Sequence, residues 1–435
     1  MKIAIFIIST LILIVIIYFF TKKNGEGIKP IWWSIAFGLK VLAGILLVYI
    51  YLDYYSDRGS ADMFKYYDDG RAIWESTRGN NKDFVKIVLG IYNKDEYELL
   101  KDKYLFKTNH WDRADFVPFR YENRLIIRIN AALMPLTGGN FGLHLLFFIF
   151  IAFIGQYFLF KSIATFIPKK ISFLIIFLFP SLLLWTSGIL KEAIIIFIIG
   201  LWFYGLKMLI DKKYVLSVIL LLISTLIAAT VKVYIIIGLY LSILPLIIYK
   251  IIKKYKVWQV YLCVFFIYIL SIPLLKYLFG LDLLTLIVNK LELTTNLAIS
   301  ENAGSMINPL KLDPTLFSFI INAPLAIINT FFRPFINDIN SLIIIPSFIE
   351  NLILILLTII AIIFRKKEIT QKEQNILLFF LSFVIIETLL IGYTTPILGA
   401  TVRYRIFPML FFLLSLIIVN DFEKIKYKLK IKKYE

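Results

Sequence analysis

Residues 3–20 read IAIFIISTLILIVIIYFF, a run without a single charged side chain. A helix that crosses the hydrocarbon core of a bilayer needs about 20 mostly apolar residues, so this run is long enough to span a membrane. Only Lys2 precedes it, and no small-residue cleavage site follows before Lys22. The pattern therefore predicts a retained first span and not a signal peptide.

Further apolar runs follow and predict about eleven spans in all. They lie near 3–20, 31–52, 142–161, 171–187, 190–210, 214–231, 233–250, 257–278, 341–364, 374–393 and 405–420. The composition agrees, because 60% of the residues are hydrophobic, against roughly 45–50% in soluble domains. The sequence predicts an all-α polytopic integral membrane protein with amphipathic helices on its outer face.

The basic residues indicate orientation rather than nucleic-acid binding. The chain has 47 Lys and Arg against 29 Asp and Glu, a formal charge of +18. Much of the excess lies in short tracts between apolar runs, as the positive-inside rule expects of cytoplasmic loops. These tracts are Lys22-Lys23, Lys169-Lys170, Lys212-Lys213, Lys253-Lys254, Arg365-Lys366-Lys367 and Lys424 to Lys433. We expect a cytoplasmic (inner) membrane protein with its N-terminus outside, its C-terminus in the cytoplasm, and no nucleic-acid partner.

This orientation divides the chain into six segments. They are two transmembrane helices (1–52), an outer-face loop with amphipathic helices (53–141), six transmembrane helices (142–278), an outer-face loop (279–340), three transmembrane helices (341–420) and a basic cytoplasmic tail (421–435). Apolar residues recur at helical spacing from Phe84 to Tyr92, and 121–136 is also helix-like before Thr137-Gly138-Gly139-Asn140. The run from Leu316 to Phe332 is interpreted as re-entrant or interfacial, because a crossing there would move Arg365-Lys366-Lys367 outside.

The stretch from Ser56-Asp57 to Gly70, just after the second run, is acidic and aromatic. A carboxylate there can act as general base for an acceptor hydroxyl, while Tyr66 and Tyr67 offer flat faces for sugar stacking. Asp62 is the best catalytic candidate because it stands apart from the more loop-like Asp68-Asp69-Gly70. The alternative interpretation is an acidic helix N-terminus beside an aromatic belt.

Arg124 and Arg128 are candidate phosphate ligands. They stand four residues apart on one predicted helical face, where two like charges repel unless an anion joins them. Guanidinium groups bind phosphate oxygens in a bidentate manner. Contact with lipid headgroups is the alternative.

Other charged residues near the ends of apolar runs are candidates for the same role. Lys191 and Glu192 lie between two runs, where charges either mark a site or satisfy neighbours in the bundle. Arg333, Arg403 and Arg405 fall on the predicted outer face, which the positive-inside rule disfavours, so they bind an anionic lipid-linked phosphate or anchor to headgroups. Lys232, Glu350 and Glu387 are weaker cases because snorkelling is available to them.

The sequence names no metal ligands and no redox site. Cys263 is the single cysteine, and His110 and His144 are far apart. No cofactor is required. A divalent metal, Mg²⁺ or Mn²⁺, could bind the acidic loop, but no motif demands one.

In layout and short motifs, the chain resembles the bacterial membrane glycosyltransferases of the GT-C superfamily, of the protein mannosyltransferase and aminoarabinose transferase type. The resemblance is carried by the acidic first outer loop with Asp62, the turn from Trp185 to Glu192, and Arg403-Tyr404-Arg405 before the last span. The large outer loop follows the second span here, whereas in the family it usually follows the first. The layout is also similar to O-antigen and exopolysaccharide polymerases.

This resemblance implies transfer of a sugar or glycan from a polyprenyl-phosphate-linked donor to an acceptor at the outer face, in cell-surface polysaccharide or glycoconjugate biosynthesis. Asp62 is then the base, while arginines and Lys191 neutralise the departing phosphate. The expected partners are the polyprenyl-phosphate-linked glycan and membrane lipids.

The competing class is a lipid-linked glycan flippase or transporter. Such a protein would use buried charges such as Glu350 and Glu387. The absence of an obvious inverted repeat in the sequence argues against it, as does the gathering of polar residues on one face.

Overall fold

A computed structural model describes residues 2–54, 58–111 and 123–428. Over these residues the chain is helical without any β-strand, which confirms the all-α class. The helices are α1 (Lys2–Asn24), α2 (Pro30–Tyr54), α3 (Asp62–Ser76), α4 (Asn81–Leu89), α5 (Lys94–Lys103), α6 (Arg124–Thr137), α7 (Phe141–Ile163), α8 (Lys169–Leu178), α9 (Pro180–Trp185), α10 (Lys191–Ile210), α11 (Tyr214–Val231), α12 (Val233–Ile252), α13 (Val257–Phe279), α14 (Leu283–Ser300), α15 (Leu316–Phe331), α16 (Ile345–Ile363), α17 (Gln371–Thr394), α18 (Leu398–Tyr404), α19 (Ile406–Val419) and α20 (Phe422–Lys428).

Within the described ranges, nine helical segments are long and apolar enough to cross a membrane, so the chain is a multi-pass membrane protein. They are α1, α2, α7, α10, α11, α12, α13, the segment Leu342–Ile363 that contains α16, and α17. The pair α18 and α19 becomes a tenth if it counts as one span bent by 50°.

The count differs from eleven at two predicted spans: 405–420, which counts only if α18 and α19 form one bent span, and 171–187, which is not counted. Two short helices, α8 and α9, replace it, and they meet at Phe179-Pro180. Proline lacks an amide hydrogen and its ring clashes with the carbonyl four residues earlier, which kinks or breaks a helix, and here α8 ends at Leu178 and α9 begins at Pro180. The run 316–332 forms one helix, α15, of 16 residues, about 24 Å long at 1.5 Å per residue, and its re-entrant or interfacial placement stays a prediction.

The first long connection holds helices, as its periodicity predicts. α4 covers most of the stretch from Phe84 to Tyr92, and α6 ends where Gly138 adopts a left-handed φ of 57°. The interpretation of Asp68-Asp69-Gly70 as loop-like is wrong, because all three lie inside α3. Ser56, Asp57, Tyr121 and Glu122 lie outside the described residues, as does the tail beyond Lys428.

The chain forms two compact units: Met1–Thr165 with Lys169–Ile236, and Phe166–Pro168 with Ile237–Glu435. In the first unit, α7 and α10 approach so closely at Gly155 and Gly200 that a Cβ on Gly200 would lie 2.0 Å from the carbonyl oxygen of Gly155. Trp33 is fully buried there and packs edge-on against aromatic rings of α7 and α8. Small residues therefore bring α7 and α10 into backbone contact.

In the second unit, α17 packs against α13, α14, α15 and α19. A Cβ on Gly392 of α17 would lie 2.4 Å from the carbonyl oxygen of Ala326 in α15. The Tyr393 hydroxyl donates to the Phe319 carbonyl over 2.6 Å. α15 therefore packs against α17 at two positions, Phe319 and Ala326.

Candidate functional site

In the first unit, α3 and α6 lie side by side and run in the same direction. Residue numbers increase along both helices from one contact to the next. The Tyr66 hydroxyl donates to Oδ1 of Asn123 over 3.2 Å, and a Cβ on Gly70 would lie 2.7 Å from Cβ of Asn130. The first turns of both helices therefore lie at the same end of the pair. Asp62 is the first residue of α3 and Arg124 the first of α6.

Asp62 is partly buried at this end and contacts other groups. Its negative charge acts on the imidazole of His110, which Lys65, Asp69 and the backbone of Gly59 also face. Desolvation lowers the pKa of His110 below its usual value, and Lys65 lowers it further. Asp62 also lies at the N-terminus of α3, where the helix dipole favours a negative charge. This position is consistent with the alternative interpretation of Asp62 as an acidic helix N-terminus.

Arg124 and Arg128 project from one face of α6, as predicted, into aromatic side chains. We call Tyr92, Tyr97, Trp111, Arg124 and Arg128 the Arg–aromatic cluster. The guanidinium carbons of Arg124 and Arg128 lie 5.3 and 5.4 Å from the centre of the Trp111 ring. One indole therefore contacts both cations, in the geometry of cation–π interactions.

The two arginines of the Arg–aromatic cluster differ in accessibility. Arg124 is only 3% exposed, and its Nη2 donates to the Tyr97 hydroxyl over 2.9 Å. Arg128 is partly buried and donates to the Tyr92 hydroxyl. Among the described residues the buried Nε atoms of both arginines have no hydrogen-bond partner, so the two differ in exposure and not in this respect. Arg128 is therefore the better placed of the two to bind an anion.

Tyr66 and Tyr67 are 2% and 4% exposed, and both have structural contacts. Tyr66 bonds Asn123, while the Tyr67 hydroxyl donates to the Gly139 carbonyl over 2.7 Å and its ring packs edge-on against Phe141. Their use for sugar stacking stays a prediction, and in this structure they join α3 to α6 and α7.

The turn before α10 contains buried polar groups. Thr186 and Ser187 are fully buried, and Nζ of Lys40 donates to Oγ1 of Thr186. Lys40 was not among the predicted site residues, although a lone lysine inside the apolar run at 31–52 marks a candidate site. A Cβ on Gly188 would lie 2.8 Å from Cε of Met63, so this turn contacts the first turn of α3.

Glu192 and Lys191 open α10. Glu192 is fully buried, and its Oε1 lies 3.8 Å from Nζ of Lys232, which is 5% exposed. A buried charge is tolerated when an opposite charge accompanies it, so Lys232 gives Glu192 a structural reason to be there. Lys191 is also largely buried and contacts other groups.

In the second unit, Arg405 is buried and bonds groups of the protein itself. It is 1% exposed, and its Nη1 donates to the carbonyls of Thr330 and Phe331, both over 3.2 Å, and of Arg333. These are carbonyls at the end of α15, which a helix leaves without intrahelical partners. The remaining bond, from Nη2 to Oδ1 of Asn351, is 2.7 Å long. These bonds give Arg405 a structural role, and its predicted phosphate-binding role stays a prediction.

Arg333 and Arg403, also in the second unit, are less buried than Arg405. Arg333 is partly buried and its Nη1 lies 3.5 Å from Oδ1 of Asp338. Arg403 is partly buried on α18. Their phosphate-binding role stays a prediction. Glu387 is fully buried, and a Cβ on Gly238 would lie 2.4 Å from its Oε1.

The first unit contains most of the predicted site residues. Asp62 lies in the first turn of α3, Arg124 and Arg128 lie in the first two turns of α6 at the same end of the helix pair, and the turn that precedes Lys191 contacts Met63 through Gly188. Across the described ranges, no group of three or more His, Cys, Asp or Glu side chains is arranged to hold a metal ion, and we name no metal ligands. Comparison with protein families, with curated proteins and with solved structures finds no match to this chain.

Proposed function

We propose that this protein is a membrane glycosyltransferase. It moves a sugar or glycan from a polyprenyl-phosphate-linked donor to an acceptor at the outer face of the cytoplasmic membrane. The N-terminus lies outside and the C-terminus in the cytoplasm, as the basic tracts favour.

The observation that carries this proposal is the parallel packing of α3 on α6. It brings a carboxylate, Asp62 in the first turn of α3, and an arginine pair, Arg124 with Arg128 in the first two turns of α6, to the same end of the helix pair. Glycosyl transfer needs these two functions together: a base for the attacking hydroxyl and cations for the leaving phosphate. Two helix N-termini at the same place add partial positive charge that favours an anion.

In the proposed reaction, Asp62 accepts the proton of an acceptor hydroxyl. The acceptor oxygen forms a bond to the anomeric carbon of the donor sugar, and the bond from that carbon to the phosphate oxygen breaks. The phosphate leaves with the electron pair, and Arg128 of the Arg–aromatic cluster stabilises its charge. Arg124 supports Arg128 through the shared contact with Trp111.

Two alternatives use the same lipid-linked substrates. A polysaccharide polymerase differs only in transferring a whole glycan instead of one sugar. A flippase or transporter is favoured by one observation, the fully buried Glu387 facing Gly238 in the second unit, because intramembrane carboxylates are typical of transport paths.

The test compares lipid-linked glycans, by mass, in cells that lack the gene, cells with the gene restored, and cells restored with Asp62→Asn. We expect a lipid-linked precursor to accumulate without the gene and with Asp62→Asn, because the amide cannot accept the proton. The mass of the precursor distinguishes transfer of a single sugar from polymerisation.

Asp68→Asn is the matched control. Asp68 lies on the same helix, but it pairs with Arg58 at 2.8 Å and both side chains are about half exposed, so the pair contributes little. Full restoration by Asp62→Asn would eliminate Asp62 as the base. An unchanged pool of lipid-linked glycans in all cells would reject the transferase and favour the transport class.

A further inference from the structure

We propose that Asp69 is the positioning residue of this site: its carboxylate holds the backbone of Asn109 and His110, and so places Trp111 against both arginines and His110 beside Asp62. The inference rests on the proposed function only for the role of phosphate as ligand. Asp69 does not contact substrate in this proposal, since it acts through the segment 109–111.

The geometry of the clamp is bidentate. Asp69 is 2% exposed in the middle of α3. Its Oδ1 accepts the backbone N–H of Asn109 over 2.8 Å, and its Oδ2 accepts that of His110 over 2.8 Å. The segment 109–111 is not helical, so these amides have no helical carbonyl to bond, and the carboxylate supplies their partner. Hydrogen bonds to an ionised acceptor are about twice as strong as neutral ones.

The residue after the clamp is Trp111, the centre of the Arg–aromatic cluster. Trp111 is 2% exposed and its Nε1 lies 3.4 Å from the Tyr97 hydroxyl, which Arg124 also bonds. Burial raises the pKa of that Tyr97 hydroxyl, so it stays neutral. Because α6 packs on the same helix at Gly70, the next residue after Asp69, α3 holds both the indole and the arginines. A shift of the 109–111 segment would therefore withdraw the ring from the two cations.

The second residue held by the clamp, His110, lies on the side of the site that contains Asp62. The charged groups that face its imidazole are Lys65, Asp69 and Asp62, and the Gly59 backbone bonds it. The Asp69 carboxylate thus holds both His110, on the side of Asp62, and Trp111, which contacts Arg124 and Arg128. Rigid placement of this kind matters because displacements of about 1 Å can cost roughly 100-fold in rate.

Asp69→Asn is the decisive substitution because it keeps the shape of the side chain. The amide offers one acceptor oxygen, and its NH₂ group would face one of the two backbone N–H donors. One of the two bonds is then lost. Asp68→Asn, next to it, is the matched control, since the Asp68 side chain is half exposed and bonds Arg58.

The experiment records fluorine NMR spectra of the full chain in detergent, with its tryptophans replaced by 5-fluorotryptophan. The protein has seven tryptophans, and Trp111→Phe identifies the Trp111 resonance. We expect Asp69→Asn to move the Trp111 resonance without ligand, and to weaken binding of inorganic phosphate, followed at the same resonance, by about tenfold or more, equal to about 1.4 kcal/mol. Asp68→Asn should leave the resonance in place and the affinity within about twofold.

A Trp111 resonance that stays in place in a folded Asp69→Asn variant would overturn the inference. If that variant does not fold, hydrogen exchange in the unmodified protein decides: protected amides of Asn109 and His110 support the clamp, and exchange at the rate of open chain overturns it. A Trp111 resonance that does not change when phosphate is added to the unmodified protein counts against the proposed function alone. The comparison of ligand-free resonances still tests whether Asp69 positions Trp111.

Discussion

The hydroxyl of Tyr66 donates a hydrogen bond to Oδ1 of Asn123, and this contact joins the second turn of α3 to the residue that precedes α6. The donor lies one turn after Asp62, and the acceptor directly precedes Arg124. Two helices that begin far apart in the sequence therefore present a carboxylate and an arginine pair at neighbouring positions.

Tyr66→Phe removes this bond and keeps the ring. We expect it to lower the free energy of unfolding by about 1 kcal/mol, the typical contribution of one intramolecular hydrogen bond, and to slow transfer less than Asp62→Asn does. Thermal unfolding in detergent and the rate of precursor consumption measure the two effects. Tyr49→Phe is the control, because Tyr49 is 72% exposed. Equal unfolding temperatures for the Tyr66→Phe and unmodified proteins would show that the bond contributes nothing.

Arg405→Gln tests whether this arginine is structural. The shorter neutral side chain leaves the carbonyls of Thr330, Phe331 and Arg333 without their donor, and buried groups left unsatisfied cost about 1–3 kcal/mol each. We expect a loss of about 3 kcal/mol or more in unfolding free energy, and Arg405→Lys should not restore it because it lacks the planar fork. Arg365→Gln, at an exposed position, should be near neutral. A stable Arg405→Gln variant that had lost phosphate binding would instead support the predicted phosphate-binding role of Arg405.

Gly200→Ala tests the backbone contact between α7 and α10. The added Cβ would lie 2.0 Å from the Gly155 carbonyl oxygen, so the helices must move apart. Overpacking of this kind costs about 1–3 kcal/mol. Gly38→Ala in α2 is the control, because nothing lies within 4 Å of its Cβ position, and alanine in a helix is favoured by about 0.5–1 kcal/mol. Thermal unfolding should therefore shift in opposite directions for the two variants, and a shared direction would contradict the packing argument.

His110 should titrate below pH 6.5, because desolvation and then Lys65 disfavour its charged form. The chain has two histidines, and His110→Gln identifies the relevant signal in an NMR titration. Lys65→Gln should raise the pKa of His110, whereas Asp62→Asn should lower it, since Asp62 favours the charged form.

The lowered pKa of His110 also makes its contribution to stability depend on pH. Between its folded pKa and 6.5, His110 binds more protons in the unfolded chain, so its contribution to stability falls as the pH drops through that window. An Asp62→Asn variant with an unchanged His110 midpoint would show that Asp62 does not face the imidazole.

The sequence by itself determined the class of the protein. Long uncharged runs such as 3–20 have one stable solution in lipid, a helix that satisfies its own backbone, and that property needs no knowledge of the neighbours. Local periodicity likewise predicted that Arg124 and Arg128 share one face of a helix, which α6 confirms. Where a local rule was overlooked, as at Phe179-Pro180, the predicted span divided into two helices.

Only the tertiary structure decided what each polar residue bonds. Lys40 meets Thr186, 146 residues away, and Arg405 meets Thr330, 75 residues away. Asp69 holds amides 40 and 41 residues further on, although its neighbours suggested a loop. The fate of a buried charge depends on the donors and acceptors that folding brings to it, and those partners are set by packing between helices and not by the local pattern that contains the charge.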